Sequence, residues 1–133
     1  MSLLENKKFI FIIGSPRSGT SWLQVMLASH PLVVSTVETT TFAGYLAPVL
    51  RRWETESENI DAGRWVKGLP HLLSETDFLA TLNPLLQASY GAICAKKPGA
   101  TYILDKAPEN TFCTDIITRF IPDAIFLHII RDG

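Results

Sequence analysis

Lys8-Phe9-Ile10-Phe11-Ile12-Ile13, continued by Gly14-Ser15-Pro16-Arg17-Ser18-Gly19-Thr20-Ser21, is the stretch on which the fold turns. After Lys8 the run is unbroken aromatic and β-branched residues, stopped by a glycine. That pattern predicts a parallel strand buried on both faces. Between Gly19 and Ser29 the apolar residues Trp22, Leu23, Met26 and Leu27 recur at helical spacing, and His30-Pro31 ends the run. The helix is expected to pack through this set, Trp22 and Met26 included. A strand, a tight loop and a helix are the context required of a phosphate-binding loop. The loop reads Gly14, four residues, Gly19, then two hydroxyl residues. Its glycines permit close backbone approach. The N–H groups of Ser18, Gly19, Thr20 and Ser21 lie where a helix dipole favours an anion. The triphosphatase version of such a loop carries lysine after the second glycine; here that position is Thr20, and the cation stands inside the loop as Arg17. The loop therefore suits a single terminal phosphate with a charged group attached rather than a metal-bound triphosphate, and no metal is expected.

Outward from the loop, Leu32 to Ser35 reads as a short second strand. Residues 39–53 read as a helix, with Phe42, Leu46, Val49 and Leu50 on one side and Pro48 bending or dividing it. Residues 54–70, with four acids between Glu54 and Asp61 and then Gly63, Gly68 and Pro70, predict a loop or short helix. Ser74 followed by Asp77 predicts the capped start of a helix running through Phe78, Leu82, Leu85, Leu86 and Ile93, with Pro84 in its early turns and Lys96-Lys97-Pro98-Gly99 closing it. Tyr102–Asp105 is a candidate strand, 111–121 a helix, and Ala124–Ile130 another buried strand that takes His128 into the core. Strands alternating with helices predict a three-layer α/β fold, P-loop-like, with a parallel central sheet. Residues 1–133 read as part of one domain. The sequence stops at Arg131-Asp132-Gly133, directly after a strand, so the domain is expected to be incomplete at its C-terminus.

Composition bounds the function. With 12 basic and 13 acidic residues in 133, a formal net charge of −1 and 47% hydrophobic residues, the chain can bury a core. It carries no basic excess of the kind that coats nucleic acid. No apolar run approaches the roughly 18–20 residues of a membrane span, and Phe9–Ile13 is too short for the apolar region of a signal peptide. A soluble protein is expected. Two isolated cysteines, Cys94 and Cys113, predict neither a disulfide framework nor a zinc site. They point to a reducing, cytoplasmic compartment.

The segment Gly14-Ser-Pro-Arg-Ser-Gly-Thr-Ser-Trp-Leu resembles the 5′-phosphosulfate loop of sulfotransferases that use 3′-phosphoadenosine 5′-phosphosulfate (PAPS). Leu104-Asp-Lys-Ala-Pro-Glu-Asn resembles the lysine-bearing strand end of bacterial and tyrosylprotein sulfotransferases, and Phe126-Leu-His-Ile-Ile-Arg-Asp-Gly the family's 3′-phosphate strand. The resemblance runs from Lys8 to Gly133. It implies that Arg17, Ser18, Gly19, Thr20 and Ser21 hold the 5′-phosphosulfate. It also implies that Lys106 reaches the oxygen bridging sulfur and phosphorus, and that Arg131 binds the 3′-phosphate. Val37-Glu38-Thr39-Thr40 resembles the segment bearing the general base, which makes Glu38 that base; desolvation would raise its pKa toward neutrality in that role. Ala107 departs from members with serine beside this lysine. Asp132 reads as a structural partner of a nearby cation. The implied reaction is sulfuryl transfer to a hydroxyl or amine of a small-molecule or macromolecular acceptor, and a homo-oligomer is left open. Two other readings compete: a P-loop kinase or triphosphatase, for which Asp105 is the one aspartate at a strand end able to hold Mg²⁺, and a truncated nucleotide-binding module without catalysis.

Overall fold

The computed structural model describes residues 4–15, 19–36 and 38–130. The elements are β1 (Lys8–Ile13), α1 (Thr20–Ala28), β2 (Val33–Ser35), α2 (Ala47–Asp61), α3 (Glu75–Cys94), β3 (Tyr102–Lys106), α4 (Thr114–Phe120) and β4 (Ile125–His128). Among the described residues, the strands form one parallel sheet in the order β2-β3-β1-β4. In β1, Phe9, Phe11 and Ile13 point into a large core beneath α2, α3 and α4, while Ile12 joins Val33 and Leu104 under Leu23 and Leu27 of α1. Helices thus lie on both faces of the sheet, as the uninterrupted apolar run requires.

The main core is aromatic. Phe11 meets Phe42 edge-on at 5.7 Å, and Phe9 meets Tyr90 edge-on at 5.2 Å. Trp53 stacks on Phe78 at 4.1 Å, joining α2 to α3. Ser74 caps α3, its hydroxyl accepting from the Asp77 N–H at 3.1 Å. Pro84 sits in the middle of α3 rather than in its early turns, on the exposed side, and the helix continues past it.

Several expectations are corrected. Of the loop or short helix expected over 54–70, the acid-rich part takes the helical form, as a continuation of α2 to Asp61, and a loop and a 3₁₀ turn, Leu69–His71, follow. Two of the acids in α2 are paired, Glu56 with Arg52 at 3.1 Å and Glu54 with Arg119 of α4 at 2.9 Å, and Arg51 grips Asp115 through two hydrogen bonds of 2.9 and 3.1 Å. The predicted division of residues 39–53 is real but takes the form of a π-helical turn, Thr41–Leu46, leading into α2. The helix expected over 111–121 is a 3₁₀ turn, Pro108–Phe112, followed by α4, because Cys113 with φ −133° interrupts helical geometry. Trp22 and Met26 are 69% and 45% exposed; only Leu23 and Leu27 of that stripe face the sheet. Strand β4 is an edge of the sheet among the described residues, and His128 is exposed instead of entering the core.

Ser74→Ala should therefore lower unfolding free energy by about 1 kcal/mol, the cost of a lost cap. Leu50→Ala, which empties a fully buried position, should cost about 2–5 kcal/mol. Denaturant melts of the full-length protein compare them, and equal losses would contradict these assignments.

Candidate functional site

A parallel sheet brings the carboxyl ends of its strands to one edge, where ligands of open α/β folds bind. Ile12 of β1 lies beside Lys106 of β3, and Ile13 beside His128 of β4, so the exits of the three strands are level. Beyond β1 the chain turns at Gly14, whose N–H donates to Thr111 Oγ1 at 3.0 Å. Gly19 precedes α1 with φ 95°, a left-handed conformation that favours glycine, and among the described residues beyond its chain neighbours no atom lies within 4 Å of where a Cβ would project. No side chain caps the start of α1 among the described residues. Thr20 is buried and Ser21 exposed. The first-turn N–H groups of α1 therefore receive no side-chain cap from the described residues, an arrangement that suits an anion. These features fit a phosphosulfate group. Arg17, Ser18 and Arg131 lie outside the described residues.

At the exit of β3, the Lys106 ammonium donates to Glu38 Oε1 at 2.6 Å. The lysine side chain is 9% exposed and the glutamate 42%. Two residues separated by most of the chain, each singled out from sequence, therefore meet. Glu38 is not the desolvated carboxylate expected of a base; it faces solvent, with a buried ammonium as its partner.

Asp105 points to the opposite face from Lys106, as neighbours on a strand must. It does not pair with Lys106, and it is not displayed to bind Mg²⁺. It is 3% exposed, accepts from Tyr90 O–H at 2.5 Å and from Thr39 O–H at 3.2 Å on Oδ2, and leaves Oδ1 without a partner among the described residues. Burial pushes its pKa up from the usual 3.8, opposed by the Tyr90 and Thr39 hydrogen bonds and reinforced by the charge of Glu38. Burial likewise holds the Tyr90 phenol well above its ordinary range. Sequence reasoning missed Tyr90 and Thr39 as neighbours of the site. A tyrosine on an apolar helix face reads as core, and only the need of its hydroxyl for a buried partner hints otherwise.

Thr111 was also missed. Together with Gly14, Ser15, Pro108, Glu109 and Phe112 it lines a cavity of about 190 Å³ beside the exit of β1, with Phe112 itself 85% exposed.

A model of the sulfotransferase family matches residues 10–133. The chain belongs to the sulfotransferase family. It is similar to protein-tyrosine sulfotransferase 1 of Rattus norvegicus, at 30% identity over 97% of this chain and 32% of that protein. It is similar also to protein-tyrosine sulfotransferase 2 of Gallus gallus, at 32% identity over 93% of the chain and 31% of that protein. With protein-tyrosine sulfotransferase 1 of Homo sapiens it shares 30% identity over 100% of the chain and 36% of that protein. The chain thus spans about a third of the length of the curated relatives it matches. The family uses PAPS as co-substrate.

The cytoplasmic expectation is corrected by these relatives, which are enzymes of Golgi membranes. It rested on Cys94 and Cys113, both free, and on no more than their number and spacing. Burial pushes the Cys113 thiol up to about 11, which makes it a poor nucleophile and a core residue. Among the described residues no helix is long and apolar enough to cross a membrane.

Asp105 supplies a pH prediction. Its pKa is higher in the folded protein than in the unfolded chain, so between those two values the folded state binds the extra proton. Stability falls as pH rises through that window. Asp105→Asn keeps an acceptor for Tyr90 and Thr39 but cannot ionise. Its melting temperature relative to the parent protein should therefore rise as pH is raised from the ordinary carboxylate range through the raised carboxyl pKa of the folded protein. Calorimetric scans across that range measure it; a difference that stays flat or falls contradicts the assignment.

Proposed function

We propose that the protein transfers a sulfuryl group from PAPS to an acceptor hydroxyl or amine, with Glu38 as general base and Lys106 as the cation at the leaving oxygen. The observation that carries this reading is the 2.6 Å Glu38–Lys106 ion pair at the strand edge shared with the glycine loop. A base and a cation side by side are what in-line displacement at sulfur needs: one takes the acceptor proton and the other meets the charge left on the departing oxygen.

When bound, PAPS supplies an activated sulfuryl group and leaves as 3′-phosphoadenosine 5′-phosphate. Arg17, Ser18, Gly19, Thr20 and Ser21 would hold its 5′ end, and Arg131 its 3′-phosphate. Arg17 brings a forked pair of donors suited to two oxygens at once. Lys106 offers an ammonium whose burial keeps it out of high-dielectric water, which strengthens its attraction for developing negative charge. Glu38, 42% exposed, presents its carboxylate on the solvent side, where an acceptor hydroxyl arrives. Its task is to accept that hydroxyl's proton as the oxygen attacks. The names of the similar proteins make a tyrosyl hydroxyl the first acceptor to assay.

The kinase or triphosphatase reading is weaker on two counts. Thr20 occupies the position of its lysine, and Asp105 is buried against Tyr90 and Thr39.

Steady-state kinetics of the full-length protein with PAPS and a tyrosine-containing peptide test the assignment. Glu38→Gln should lower kcat by roughly a hundredfold or more, the usual contribution of a general base, with little change in KM for PAPS. Lys106→Ala should lower kcat by about 10²–10³, as for loss of one charge-stabilising donor. Arg17→Ala should raise the Kd for 3′-phosphoadenosine 5′-phosphate without lowering thermal stability. A kcat left unchanged by Glu38→Gln would reduce Glu38 to a partner of Lys106.

A further inference from the structure

The Glu38–Lys106 pair has a second pair behind it, built from the adjoining residues. Thr39 follows Glu38 and Asp105 precedes Lys106, and the Thr39 hydroxyl donates to Asp105 at 3.2 Å. The same two backbone segments are therefore joined twice, by an ion pair at the solvent edge and by a partly buried hydrogen bond on the opposite side of β3. Asp105 is in turn held by Tyr90, reaching from α3 at 2.5 Å. Tyr90 is fully buried, wedged against Phe9 and Phe42. That packing leaves its hydroxyl little freedom to move.

The segment bearing Glu38 needs such restraint. Among the described residues it has no regular hydrogen-bonding partner strand after Ser35. At its start, Gln24 donates to Ser35 Oγ at 2.8 Å and to the Thr36 carbonyl at 2.7 Å, and Lys96 donates to Thr36 Oγ1 at 2.6 Å. At its end, Thr40 adopts φ 51°, a left-handed conformation costly for a β-branched residue. Its carbonyl accepts from the Gly44 N–H at 2.7 Å in the π-helical turn, and Thr39 Oγ1 accepts from the Thr41 N–H at 3.3 Å. Backbone strain of this kind persists only where surrounding contacts enforce it. Asp105 also keeps a buried oxygen, Oδ1, unpartnered among the described residues, a cost that the local packing alone does not explain.

We propose that Tyr90, Asp105 and Thr39 form a positioning relay that fixes the Glu38 carboxylate at Lys106; this inference rests on the sulfuryl-transfer reading and assigns the three residues no contact with substrate. The relay runs from the aromatic core through β3 to the loop, so the rigidity of the core sets the placement of the base. Tyr90 is suited to it because burial keeps the phenol protonated and thus a donor. Thr39 is suited because its single hydroxyl can donate to Asp105 while accepting from the backbone of the strained turn.

The test is a mutant cycle in the full-length protein, read by kcat and by KM for PAPS, with circular dichroism and melting temperature confirming the folded fraction. Thr39→Val removes the hydroxyl at constant shape and should lower kcat by about tenfold or more, since small displacements of a catalytic group are costly, with KM for PAPS unchanged. Thr39→Ser restores the donor and should restore kcat to within about threefold of the parent, and Tyr90→Phe should lower kcat in the same direction. A residue acting through Glu38 has nothing left to act on once Glu38 is gone. Thr39→Val placed on Glu38→Gln should therefore lower kcat by no more than about twofold further. Thr39→Val with parental kcat, or a loss that multiplies on the Glu38→Gln background, overturns the relay. If Thr39→Val does not fold, Thr39→Ser and Tyr90→Phe carry the comparison: a parental kcat in Tyr90→Phe overturns it. Glu38→Gln with parental kcat overturns the base assignment itself, whereas loss in Glu38→Gln alongside a parental Thr39→Val overturns the relay alone.

Discussion

The parallel pairing of β1 with β3, which sets Ile12 beside Lys106, is the constraint on which the rest depends. It levels the exit of the phosphate-loop strand with the exit of the lysine strand. Because β1 is buried on both faces, its register is held from two sides: a slip by one residue would exchange Phe11 and Ile12 between cores of different depth. The position of the glycine loop relative to Lys106 follows from that register. So does the position of Glu38, since β2 pairs with β3 through Ser35 and Leu104 before the chain runs on toward the lysine.

Alternation along β3 then divides labour between neighbours. Lys106 faces Glu38 at the strand exit, and Asp105 faces the aromatic core under α3. On the proposed reading, one strand end would supply both a charge for sulfuryl transfer and an anchor for the loop that carries Glu38, coupling core packing to the site without any long path. Elsewhere the charges serve the helices: Arg51 with Asp115 and Arg119 with Glu54 and Glu75 join α2, α3 and α4 at the surface. Exposed pairs of this kind contribute little individually, and they sit away from the strand edge.

The elements readable in the sequence were those whose burial is nearly complete or whose ends are chemically marked. Phe9–Ile13 announces a central strand, and Ser74 with Asp77 announces a helix start, because each pattern has one structural use. The end of α2 was only half readable: Glu54, Glu56, Glu58 and Asp61 suit a loop or a short helix equally, and the basic residues that neutralise two of them, Arg52 and Arg119, come from the previous turn and from a distant helix. Glu38 and Lys106 could each be singled out from sequence, and the structure brings the two side chains to 2.6 Å. The exposure of Glu38 was not legible, since burial depends on how the following turn folds. Thr39, Tyr90 and Thr111 were silent for the same reason. Each is ordinary in its own segment and acquires a role only through partners 15 to 97 residues away.

A crystal structure of the full-length protein with 3′-phosphoadenosine 5′-phosphate tests the central claim most directly. The 5′-phosphate is predicted at the start of α1, its oxygens about 2.7–3.2 Å from the N–H groups of Thr20 and Ser21, with the Lys106 ammonium turned toward it and Glu38 on the open side. A nucleotide bound elsewhere, or a 5′-phosphate that meets neither the α1 N-terminus nor Lys106, would contradict it.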